Sequence, residues 1–95
     1  MNRKELIEDF LKTFKPKEEQ AWKSCYFFAY YLKKNHDIDA KLIEGISSVN
    51  KIDHWIVRFN DEDEDIHAKA VGLTPDFIEN PEIEWSLEDF ERDNF

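Results

Sequence analysis

Three side chains in this sequence have the means to do covalent chemistry together: Cys25, His54 and His67. Cys25 is the lone cysteine, so no internal disulfide consumes it. A free thiol has a pKa of ~8.5 and is a poor nucleophile until something ionises it. A helix N-terminus and a neighbouring imidazolium both favour the thiolate. Each residue also has a plainer reading. Free cysteine is among the most buried residue types, and two histidines on a polar strand face can be simple surface side chains.

The elements around these residues decide which reading is physical. Residues 2–14 read as a helix: Asn2 is a plausible N-cap, and Leu6, Ile7, Phe10, Leu11 and Phe14 fall on one face. Residues 24–34 read as a second helix, apolar nearly all round until Lys33, which marks the buried centre of a domain. Ser24 can cap that helix and put Cys25 at its entrance. Pro16 can instead open one long helix to Asn35, which would leave Cys25 mid-helix. Asn35 suits a left-handed cap at its end.

Three strands are expected next, over Ala40–Ile46, Ile52–Phe59 and Asp65–Val71. In the second, Trp55, Val57 and Phe59 share one face and His54, Ile56 and Arg58 the other. In the third, Ile66, Ala68 and Ala70 oppose Asp65, His67 and Lys69. Pairing the apolar sets in a hairpin brings His54 and His67 to one polar face, within ~8 Å. The acidic run Asn60–Glu64 between them is expected to be a solvated hairpin loop. It lacks the mid-loop glycine and distal glutamate of an EF-hand calcium site. Beyond the strands, Thr74-Pro75 is expected to start a short helix through Ile78, and Ser86-Leu87-Glu88-Asp89 to cap a last acidic turn.

Composition narrows the function further. The 95 residues are expected to form a single domain, 1–95, with one modest core; the 15% aromatic share lets that core form without disulfides. Twenty-two acidic against thirteen basic residues give a formal net charge of −9, which repels nucleic acid and anionic membranes alike. The expected partners are therefore a peptide or protein substrate or a basic protein, with no nucleic acid and no membrane. Without a signal-like N-terminus, a long apolar run or a second cysteine, the expected location is the cytoplasm. Cys25, His54 and His67 also match a three-ligand zinc set by residue type, but no close-spaced ligand pair accompanies them. No metal and no cofactor are expected.

Ser24-Cys25-Tyr26-Phe27-Phe28-Ala29 opening a helix, then Asp53-His54-Trp55-Ile56-Val57 opening one strand and Ile66-His67-Ala68 in the next, resembles the core of the papain-like and transglutaminase-like thiol enzymes. The likeness covers about residues 20–74, and its motifs are short. The resemblance implies an α+β fold with N-terminal helices packed on a small antiparallel sheet. It implies Cys25 as nucleophile, His54 as general base, His67 as the group orienting its ring, and Gln20 as an oxyanion donor. His67 stands where the transglutaminase-like branch carries an acid and is similar to the cell-wall amidase branch. The expected activity is that of a small cysteine hydrolase or acyltransferase; the alternative is a non-catalytic acidic binding protein, of inhibitor or immunity type, acting on a basic partner.

Overall fold

The computed structural model describes residues 1–15, 21–49 and 51–95. Helix α1, Arg3–Thr13, starts where the sequence places it. Asn2 accepts from the Glu5 backbone N–H, and the Glu5 side chain accepts from the Asn2 N–H, which closes a capping box. Helix α2, Ala21–His36, follows. It already includes Ala21, so it does not begin at a Ser24 cap; whether it reaches back to Pro16 lies outside the described residues. The left-handed residue after it is Asp37 (φ 53°) rather than Asn35. Strands β1 (Lys41–Ser47) and β2 (Asp53–Phe59) pair antiparallel, with Leu42 opposite Val57 and Ile43 opposite Ile56.

Past β2 the expected order changes. Asn60 and Asp61 both have positive φ (52° and 64°), a two-residue hairpin turn that needs left-handed backbone at both positions. The acids Glu62–Glu64 are then strand β3 rather than loop. The segment expected as a third strand over Asp65–Val71 is instead helix α3, Ile66–Val71. Asp65 caps it by accepting from the Ala68 N–H, and Gly72 closes it in the left-handed conformation (φ 80°). Alternation of Ile66, Ala68 and Ala70 suggested a strand; the caps at both ends and consecutive burial of Ile66, His67 and Ala68 show a helix. The shared strand face expected for His54 and His67 does not exist.

The second departure is β4, Ile78–Ser86. No helix starts at Thr74-Pro75. Residues 73–77 lack regular structure, and the chain then runs antiparallel along β1. Glu44 faces Ile83 and Gly45 faces Pro81; Ile46 faces Asn80 and Ser47 faces Ile78. The extra residues Glu82 and Glu79 are therefore bulges, which destroy the two-residue period a strand would show. Pro81 is tolerated because β4 is an edge in the sheet order β3-β2-β1-β4. Helix α4, Leu87–Asn94, is capped by Ser86, which accepts from the Asp89 N–H.

The fold is thus α+β, with the N-terminal helices on a small antiparallel sheet. Phe28 and Leu32 of α2, Leu6, Ile7 and Phe10 of α1, Leu42, Val57 and Phe59 of the sheet and Phe90 of α4 form one core. Each such side chain contributes about 1.5–3 kcal/mol by leaving water. Helix α2 is central but not buried all round: Phe27 and Tyr30 face outward. Among the described residues, no helix is long and apolar enough to cross a membrane.

Candidate functional site

The thiol comes first, because the chemistry suggested by the sequence depends on it. Cys25 is the fifth residue of α2 as described, and its surface is 0% exposed. It belongs to the main apolar core. Burial pushes its pKa well above the ordinary thiol value, and the nearby negative charge of Asp65 pushes the same way. The sulfur is enclosed and lies past the first turn of the described helix, while His54 bonds Asp65 and His67 bonds Ser24.

His54 opens β2 and stays partly accessible, with 17% of its side chain exposed. Its Nε2 lies 2.9 Å from Asp65 Oδ2. That hydrogen bond raises the imidazole pKa above its ordinary value, although burial opposes the rise. Asp65 is the junction of the site. Besides His54 it accepts from the Ala68 N–H at 3.1 Å, which caps α3, and from the Asp76 N–H at 2.8 Å. Burial would lift its pKa, but these three hydrogen bonds outweigh burial and hold the carboxyl ionised below its usual range.

Asp76 extends the network. Its Oδ1 accepts from the Ser48 hydroxyl at 2.6 Å and from the Phe77 N–H at 2.7 Å. Here too burial is outweighed by hydrogen bonds, and the pKa is lowered. His54, Asp65, His67 and Asp76 line a small cleft of about 80 Å³, with Ile52 and Leu73 also on its wall.

His67, the expected orienting residue, sits on α3. Its Nδ1 is 2.7 Å from Ser24 Oγ, and both residues are buried. A hydroxyl against an imidazole is a nucleophile–base pair by type, but Ser24 is 0% exposed and no substrate carbonyl can reach it. The pair satisfies two buried polar groups and ties α3 to α2. The group that holds the His54 ring is Asp65, not His67. Gln20 lies outside the described residues.

Sequence reasoning passed over Asp65 and Asp76. For Asp65 a signal was available: an Asp followed by Ile-His-Ala-Lys-Ala-Val-Gly is an N-cap, a short helix and a left-handed glycine. For Asp76 there was none, because its partners Ser48 and Asp65 are distant in sequence. Among the described residues, no three His, Cys, Asp or Glu side chains are grouped so as to hold a metal ion. Comparison with known proteins finds no matching family model, no matching curated protein and no matching solved structure.

Proposed function

We propose that this chain is a non-catalytic acidic binding protein that engages a basic segment of a partner protein. The observation that carries the reading is the enclosure of Cys25. A sulfur in the apolar core with a raised pKa is neutral at pH 7 and cannot attack a carbonyl. The formal charge of −9 supports association with a positively charged surface, through faster encounter and rejection of acidic competitors. A lone thiol that needs no oxidising compartment supports a cytoplasmic setting.

The test is iodoacetamide labelling of native protein from pH 5 to 9. The expected result is no labelling until urea unfolds the chain, and a Cys25→Ala variant that keeps full binding. Rapid native labelling below pH 8 would overturn the reading.

One observation favours a second reading, a papain-like or transglutaminase-like cysteine hydrolase or acyltransferase. His54 is held by a carboxylate, Asp65, as a general base requires. On that reading α2 would shift to expose Cys25 to His54. It predicts native labelling that is lost in His54→Ala.

A further inference from the structure

The cleft beside His54 has an apolar collar. Val49, Ile52, Leu73 and Phe77 are 72%, 61%, 60% and 64% exposed. They occupy two touching stretches, the β1–β2 turn and residues 73–77. Leu73 joins them: it lines the His54–Asp65 cleft together with Ile52, and a neighbouring depression of about 320 Å³ together with Val49. Phe77 is fixed beside the turn, because its carbonyl accepts from the Ser48 N–H at 2.9 Å. The Ser48 hydroxyl bonds Asp76, and the Asp76 N–H bonds Asp65. Ile52, Leu73 and Phe77 therefore stand on hydrogen-bonded backbone: the Ile52 carbonyl accepts from the Ser47 N–H and the Leu73 N–H donates to the Ala68 carbonyl, so a partner docking on them pays little to order them.

Charge selects the occupant. The buried carboxylates of Asp65 and Asp76 line the cleft against the one imidazole of His54 that bonds Asp65, and the charge of Lys51 is taken up by its ion pair with Glu79. The balance is negative. A second copy of the chain brings −9 against −9 and is disfavoured. At about 80 Å³ the cleft holds two or three waters' worth of space, at ~30 Å³ each. That suits an ammonium or guanidinium head and excludes a drug-sized ligand.

Resting on the binding-protein reading, we infer that this collar is the docking surface. It receives a partner segment in which a Lys or Arg enters the His54–Asp65–Asp76 cleft and flanking apolar side chains cover Val49, Ile52, Leu73 and Phe77.

The experiment pans the full chain against a displayed library of randomised 12-residue peptides. Enriched sequences are then synthesised and titrated at low and high salt against the native chain and a Leu73→Ser/Phe77→Ser variant, whose changes are at exposed positions. The expected peptides carry a basic residue between apolar ones. Their binding weakens at least about tenfold on the variant, as loss of central apolar anchors does, and again when the basic residue is replaced by norleucine. Salt-sensitive binding of basic peptides that the variant leaves unchanged overturns the collar but spares the binding-protein reading. Enrichment of peptides without a basic residue overturns the cation-accepting cleft. No salt-sensitive binding of any basic peptide overturns both. A native dimer in sedimentation that the variant abolishes assigns the collar to self-association and overturns the proposal.

Discussion

Replacing Asp65 with alanine removes a side chain that is only 1% exposed and serves three donors at once. Loss of the N-cap on α3 costs about 1 kcal/mol. Loss of the charge-assisted bond to His54 costs about 1.5–3 kcal/mol, and a buried Asp76 N–H left without an acceptor about 1–3 kcal/mol. Against these stands the desolvation that the variant no longer incurs, and the three losses are not independent. The net expectation is a destabilisation of about 3–5 kcal/mol, a large share of the ~5–15 kcal/mol typical of a domain. Asp65→Asn keeps Oδ1 for the cap but replaces Oδ2, the acceptor for both His54 and the Asp76 N–H, with an amide NH2 group, so it should spare only the cap's share and cost about 1 kcal/mol less than alanine. Urea unfolding followed by fluorescence of the three tryptophans measures both. The reasoning fails if Asp65→Ala unfolds within about 0.5 kcal/mol of the parent, the range of an ordinary surface change. It fails equally if the asparagine variant is the less stable of the two.

The same pair predicts a pH profile. Asp65 has a lowered pKa, so its contribution is complete above the ordinary carboxylate value of ~3.9 and is lost as pH falls through the lowered one. His54 has a raised pKa, so its contribution is complete below ~6.5 and is lost as pH rises through the raised value. Urea midpoints should therefore be highest between these limits. His54→Gln should flatten the decline between pH 6 and 9; an unchanged decline would assign it to other groups. Arg3 should matter more than a surface arginine. It donates to the Phe59 and Glu62 carbonyls and to Glu64, and its guanidinium lies 3.8 Å from the centre of the Phe59 ring. Arg3→Ala should cost about 2 kcal/mol, and a calorimetric Tm unchanged from the parent would refute the clamp of α1 on the β2–β3 hairpin.

What the sequence determined by itself is local. Asn2 and Glu5 close a capping box because both partners lie within one turn, and β1 and β2 are legible because short apolar and β-branched stretches, Leu42-Ile43 and Trp55-Ile56-Val57, mark them locally. The α+β class follows from the same patterns. Tertiary structure decided the rest. Two bulges in β4 depend on its fit to β1, and they erase the period that would have announced a strand. The chain at 65–71 alternates like a strand, yet it coils because the Asp65 carboxylate caps it while also meeting His54 and Asp76. Burial of Cys25 was one of the two readings its type and its apolar helix allowed, and only the packing of that helix against the core decided between them. Hydrogen bonds spanning 11 to 43 residues set the site, and no local pattern encodes which donor a carboxylate will find.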